Sequence, residues 1–406
     1  MRWVLLMVGV LAMRALTAAP LDEADLDARI AKLRTGRLEA TFPELAPGTP
    51  VHYALIRHDF LFGTTIDPRL LLQEPPGADA RQYQSRLQEY FNAARAEEVL
   101  QWRTMEPQQG QTAAGDAAAL ALWQKCDVLG VALRGHAIFD GTRAPAWLSG
   151  LGDDDLQAAL QGRLDHMFDL LGDKIDEWDL NDGMLHRDLL AERLGFKNGL
   201  VWFMWAGRAA PRARLCLNEF DLLAPDDFTS LTAKIRDLHK NGARISALGV
   251  RAHFGAQEPS ITTVWKRLDT LQQFSVPLQI TDFAVEPAAD AARQAETYRR
   301  LLKLFFAHPA VAGVYQPEFW AGAAGAPKGA LWGRQWRPGA TGRVFTQLLD
   351  DTWTTSGTAP VDDQHAVALQ GYFGLYRLEA EGRMWFVKWN TGRPYMPAWV
   401  KESAVP

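Results

Sequence analysis

The chain reads as an α/β protein: a (β/α)8 TIM barrel with a small C-terminal antiparallel β appendage. Three observations predict it. From Phe60 onward, eight strand-like segments each give way to a helix-like one, the rhythm of a closed barrel. Most of those strands are short and largely apolar, as parallel strands covered on both faces are. No Gly-x-Gly-x-x-Gly turn follows the first of them, which counts against an open dinucleotide-binding sheet.

Residues 1–19 have the form of a secretory signal peptide. Arg2 supplies the charged start, Trp3–Met13 an apolar run too short to span a bilayer, and Thr17-Ala18-Ala19 a small-residue cleavage site. Residues 20–56 are expected to pack on the barrel as one helix and one strand. Leu26, Ile30 and Leu33 fall at helical spacing within Leu21–Arg34, Gly36 is placed to end that helix, and Val51–Ile56 reads as the strand.

The barrel is assigned to residues 57–355, with its first strand at Phe60–Ile66. Arg81–Arg95 is amphipathic and leads to Val99–Trp102, and Ala117–Leu129 leads to Gly130–Phe139. Leu156–Leu171 leads to Ile175–Leu180, Leu194–Ala209 to Arg214–Phe220, and Phe228–Asn241 to Ile245–His253. Ile261–Phe274 leads to Pro277–Val285, Ala291–His308 to Val311–Gln316, and Val344–Trp353 is the closing helix. In residues 356–406, Ala366–Tyr376 and Arg383–Trp389 read as two or three antiparallel strands.

A net charge of −5 provides no field for nucleic acid. No segment after the leader is long and apolar enough to cross a membrane. Neither partner is expected; a monomer, secreted or periplasmic, is. The two cysteines, Cys126 and Cys216, lie among apolar neighbours and make no disulfide framework. Buried thiols are the expectation, with a single bridge left open. Fifteen tryptophans are many for this length; core filling and flat platforms for sugar rings both account for them.

The stretch most suggestive of chemistry is Glu177–His186, EWDLNDGMLH. A strand carrying Ile175, Trp178 and Leu180 runs into Asn181, Asp182, Gly183 and, after two apolar residues, His186. Parallel barrels place their chemistry where strands end. A helix N-cap is the plain alternative, since Asn and Asp satisfy free backbone N–H groups.

Six further segments accompany it: RHDFLFGTTID (Arg57–Asp67), EEVLQWRTMEPQQG (Glu97–Gly110), LRGHAIFDGTRAPAWL (Leu133–Leu148), LNEFDLL (Leu217–Leu223), ALGVRAHF (Ala247–Phe254) and LQITDFAV (Leu278–Val285). In order and spacing the set resembles glycoside hydrolase family 10, the endo-β-1,4-xylanase family, and within it the plant-type branch. Gly371–Tyr376 is similar to that branch's C-terminal extension.

The resemblance implies hydrolysis of O-glycosyl bonds in a xylan-like polysaccharide, with no cofactor and no metal. One carboxyl protonates the leaving oxygen; the other attacks the anomeric carbon from about 5–5.5 Å away, with retention. In the family's register the acid/base glutamate falls on Gly183, with Asp182 where the preceding asparagine stands. The nucleophile position falls on Asp282, in Ile280-Thr281-Asp282. Glu98 and Gln101 replace the family's Asn and Lys, Asp140 a tryptophan, Gly141 a histidine, Arg251 a glutamine and Pro317 a tryptophan. His136, His253 and Trp102 are retained as sugar-binding candidates, and Trp320 lies beside the lost tryptophan, with Trp332 and Trp336 further on. Arg134, His58 and Asn218 are read as supporting or core groups.

Two readings follow. Without a general acid, departure of the leaving group loses about 10²–10⁴-fold; a nucleophile shorter by one bond loses roughly another 10². That describes a glycan-binding pseudoenzyme. Alternatively Asp182 substitutes as acid and the shortened Asp282 widens the gap toward the roughly 6.5–9.5 Å of inverting enzymes, in an active site rebuilt with Glu98, Asp140 and Glu318. These carboxylates come from separate loops, not from a compact calcium-loop pattern. Each also has a plain role: Asp140 in a turn, Asp182 as a cap, Arg251 paired with Asp282 or Glu219 and holding that carboxylate ionised.

Overall fold

Strands only three to eight residues long, most of them buried on both faces, curl into a ring. The computed structural model describes residues 22–186, 189–195, 197–220, 222–223, 228–255, 260–287, 290–325 and 330–390. Residues 1–19, read from the sequence as a signal peptide, lie outside the described residues.

The first helix, Glu23–Arg34, starts on a capping box: the Asp22 side chain accepts from Asp25 N at 2.8 Å while Asp25 answers the Asp22 N–H. Leu26 and Ile30 bury its inner face. Arg34, at its end, donates to the carbonyls of Phe306, His308 and Val311 at 2.8–3.0 Å, tying the helix to the barrel. Two strands follow, β1 (Thr35–Thr41) and β2 (Pro50–His58).

The barrel comprises β3 (Leu61–Thr65), β4 (Ala93–Arg95), β5 (Ala132–Arg134), β6 (Glu177–Asp182), β7 (Arg214–Glu219), β8 (Ala247–Phe254), β9 (Leu278–Val285) and β10 (Val311–Gln316). The eight-stranded sheet runs β5-β4-β3-β10-β9-β8-β7-β6 with the paired strands parallel. Residues just past β5 close the ring: Gly135 N donates to Glu177 O at 3.0 Å and Phe139 N to Leu180 O at 3.0 Å. With helices between successive strands, this is the (β/α)8 barrel that the alternation predicts. No helix among the described residues is long and apolar enough to cross a membrane.

The second barrel strand departs from the sequence reading. It is Ala93–Arg95, whereas Val99–Trp102 belongs to the short helices Glu97–Leu100 and Trp102–Met105. Ala-Ala-Arg is a helix-favouring triplet, so it reads as the end of the preceding helix. That helix stops at Tyr90, and complete burial of Ala93 and Ala94 in the barrel wall overrides propensity.

The appendage also differs. β11 (Ser356–Pro360), β12 (Ala366–Tyr372), β13 (Gly374–Ala380) and β14 (Arg383–Trp389) pair with the N-terminal strands: β1 with β12, and β11-β2-β13-β14 in a four-stranded sheet. Only the first helix of residues 20–56 docks directly on the barrel. The strands join the C-terminal module because Leu38, Phe42 and Val51 share a core with Val367, Tyr376 and Leu378. β1, rich in Gly, Arg and Glu, carries no strong strand signal of its own.

Candidate active site

Within the barrel a sealed ionic layer supports the mouth. Arg134 on β5 pairs with both Glu177 and Asp179 of β6, and its Nη2 lies 2.9 Å from Cys216 Sγ. Asp179 also bonds His136 Nδ1 at 2.8 Å. Burial alone would raise the Asp179 pKa, yet Arg134 and His136 hold it far below the ordinary carboxylate range. Both cysteines are buried free thiols.

At the end of β6, Asp182 Oδ1 accepts from Asn218 Nδ2 at 2.7 Å, and Asn218 Oδ1 accepts from the Thr281 hydroxyl at 2.6 Å. The amide thus bridges β6 to β9. Asp182 Oδ2 lies 3.4 Å from Arg143 Nη2 and 3.8 Å from His136 Nε2. Arg143 also reaches Asp140 at 2.6 Å and Glu97 at 3.5 Å. Asp140 is the turn residue as well, accepting from Thr142 N and Arg143 N.

Asp282 is aimed by a bulge. Between the pairs Val250–Ile280 and Ala252–Phe283, the single residue Arg251 faces both Thr281 and Asp282. Asp282 holds φ at 149°, a conformation L residues rarely adopt. Its Oδ2 lies 3.0 Å from His253 Nε2 and 3.2 Å from Arg251 Nε, and its Oδ1 3.9 Å from Arg95 Nη2. Burial pushes its pKa up, but His253, Arg95 and Arg251 bring it below the usual value. Arg95 in turn binds Glu97 at 2.8 Å. A continuous ionic path therefore links the two strand ends: Asp282, Arg95, Glu97, Arg143, Asp182.

Position 183 is closed. Gly183 has φ of +80°, and a Cβ there would collide with the Phe220 ring. Phe220 stacks on His186 with centroids 4.3 Å apart. His186 Nδ1 lies 3.1 Å from Glu219 Oε2, and Glu219 Oε1 accepts from Leu185 N at 2.9 Å. Burial pushes Glu219 up to about 7 against those hydrogen bonds. Glu318 is pushed up to about 8, again chiefly by burial, although Tyr83 OH donates to it at 2.8 Å.

The structure brings together Asp182, Asp282, His136, Asp140, Arg251 and His253. The other sugar-binding candidates make contacts of their own. Glu98 is exposed, while its neighbour Glu97 enters the site. Gln101 is buried and accepts from Arg103 Nε at 3.1 Å. Trp102 is buried, its Nε1 donating to Glu106 at 2.7 Å. Trp320 is buried and stacks on Trp336 at 4.5 Å with the rings 5° from parallel. Sequence reasoning missed Arg95, Glu97, Arg143 and Phe220. Placing the second strand at Ala93–Arg95 would have put Arg95 at its tip and Glu97 just beyond.

Chemically, Glu97, Asp140 and Asp282 are all held below their ordinary values, burial opposing and neighbouring cations prevailing. The carboxyls raised toward neutrality, Glu219 and Glu318, are sealed, at 0% and 4% exposure. A general acid needs both a proton and reach to the leaving oxygen; none of these five groups combines the two. Among the described residues no group of three or more His, Cys, Asp or Glu is arranged to hold a metal ion.

A family model described as Glycosyl hydrolase family 10 matches residues 53–323. The chain is 28% identical to Anti-sigma-I factor RsgI6 of Acetivibrio thermocellus over 81% of its own length and 42% of that protein. It is 26% identical to Endo-1,4-beta-xylanase 1 of Arabidopsis thaliana, over 82% of this chain and 34% of that one. It therefore spans less than half the length of these curated relatives. Among solved structures, xylanase 10B from Thermotoga petrophila RKU-1 in complex with xylobiose superposes with a TM-score of 0.63 at 16% identity, covering 72% of this chain and 94% of that one. At that identity the likeness is one of fold.

Proposed function

This chain belongs to glycosyl hydrolase family 10, and we propose that it acts as a secreted or periplasmic, monomeric glycan-binding barrel that lacks the family's retaining hydrolysis. Its ligand is a β-1,4-linked, xylan-like polysaccharide taken across the mouth between the ends of β6 and β9. One observation carries the reading: at position 183, where the family resemblance puts the proton donor, a glycine at φ +80° is packed under Phe220. Asp182, next to it, accepts from Asn218 and faces Arg143. Each of its two oxygens thus already faces a donor on a neighbouring side chain. The same chain aligns with a relative named as an anti-sigma factor and with relatives named as xylanases, so likeness to it accompanies more than one named role.

A second reading rests on the ionic path that joins Asp182 to Asp282: a rebuilt glycosidase using that pair. One experiment separates the two. Wild type and Asp282→Ala are tested on a panel of β-1,4-linked oligosaccharides for reducing-end release and for affinity. Binding without release is the expected result. Release that disappears in Asp282→Ala overturns the non-catalytic reading in favour of the rebuilt enzyme. Neither binding nor release removes the glycan assignment.

A further inference from the structure

We propose that Arg251 and His253 form a receptor for the carboxylate of an acidic sugar, so that the preferred glycan is one bearing uronic acid residues. The inference rests on the glycan-binding reading above and names its ligand class.

Along β8 every residue is buried except these two. They are two apart, hence on one face of the strand, and their side chains are 44% and 40% exposed. Asp282 holds both from beneath: Oδ2 meets Arg251 Nε at 3.2 Å and His253 Nε2 at 3.0 Å. Arg251 Nη2 lies 3.2 Å from His253 Nδ1. A guanidinium only donates, so Nδ1 accepts and the imidazole proton sits on Nε2, directed at Asp282. Each side chain thus fixes the other. Arg251 Nη1 meets no acceptor among the described residues.

The charge around the mouth is uneven. Arg143, on the β6 side, faces three carboxylates: Asp140, Glu97 and Asp182. On the β8–β9 side, among the described residues, Asp282 is the carboxylate paired with Arg251, and it also lies 3.9 Å from Arg95. Arg95 is buried and shared with Glu97; Arg251 is the guanidinium with its end toward solvent. A fixed, half-exposed arginine fork with free donors matches the planar geometry of a carboxylate. A neutral xylose ring offers it only hydroxyls.

The test measures affinity by calorimetry for three ligands: a xylo-oligosaccharide, the same oligosaccharide carrying a glucuronic acid branch, and its carboxyl-reduced form. Wild type is expected to bind the acidic form about tenfold or more tighter than the reduced one, the size of a charge-assisted hydrogen bond. Raising salt should shrink that preference. Arg251→Gln should abolish that preference by levelling the affinities for the acidic and reduced forms, and a circular dichroism spectrum and unfolding midpoint like those of wild type show that the variant folds. Arg251→Lys should keep only part of the preference. Equal binding of the acidic and reduced forms, or a preference that survives Arg251→Gln, overturns the carboxylate receptor and leaves the glycan-binding reading intact. No binding of any of the three overturns both.

Discussion

Inside the barrel, Arg134 closes on Glu177 and Asp179 with its side chain 1% exposed and theirs no more than 7%. At the ends of the strands, Asp182 and Asp282 meet cations too, but they keep 19% and 14% exposure beside arginines that reach water. The lower layer is a condition of folding, because an ion left there without its partner has no solvent to fall back on. The rim is different: water and alternative partners screen a lost contact, so side chains there can change while the barrel stands. A barrel can therefore keep its supporting layer and lose its proton donor.

The sharpest way to break that contrast is Arg134→Met. It strips the buried Glu177 and Asp179 of the guanidinium they share, leaving Arg214 3.4 Å from the one and His136 2.8 Å from the other, and should cost roughly 3–5 kcal/mol in a urea titration. Asp140→Ala at the rim should cost no more than about 1 kcal/mol. Similar losses for the two variants would erase the distinction between layers.

Stability against pH probes the sealed carboxyls next. Glu219 and Glu318 have folded-state values raised to about 7 and about 8. The stability they contribute is whole below their unfolded value of about 4.3 and is lost as pH rises through those folded values. His58 and His308, whose values burial lowers to about 4, pull the other way up to about pH 6.5, so the expected result is a difference: from pH 5 to 8 the unfolding midpoint of the double variant Glu219→Gln, Glu318→Gln should gain on that of wild type. Asp282, Glu97 and Asp140 act in the opposite sense. Their contribution is present above about pH 4 and is lost as pH falls below it. The same pH dependence in wild type and double variant would contradict the burial assigned to Glu219 and Glu318.

A glutamate placed at position 183 tests the rim itself. Gly183→Glu alone should lose about 1–3 kcal/mol through its positive φ and the collision with Phe220. It should yield no xylan hydrolysis in a reducing-sugar assay. Hydrolysis by that single variant would overturn the role proposed for the closed position 183. The smallest expected effect concerns the thiols: Cys126 and Cys216 should stay unmodified by a thiol reagent in native protein and react on unfolding, since burial pushes Cys126 up to about 12.

Much of the barrel is legible locally. Apolar runs such as Leu278–Ile280 and helices with four-residue spacing such as Leu156, Leu160 and Leu164 declare themselves over a few residues. β4 and β1 do not. Their residues favour other states in isolation and become strands only because a wall or a partner strand is supplied from elsewhere. The site divides the same way. Asp182, Gly183 and Asp282 can be found by reading along the chain, whereas the choice of Glu97 over Glu98 turns on which way one side chain points, and a one-residue shift reverses it.

By itself, then, the sequence determined the alternation that makes the barrel and the placing of Asp182-Gly183 and Asp282 in the segments that end two of its strands, because each is a matter of residue identity at a countable position. The tertiary structure alone decided that Phe220 occupies the space beside Gly183, that Arg95 and Arg143 join the two strand ends, and that β1 and β2 belong with the C-terminal strands. Those outcomes depend on contacts between residues far apart in the chain, through closure of the ring, a bulge at Asp282 and burial that no local spacing encodes.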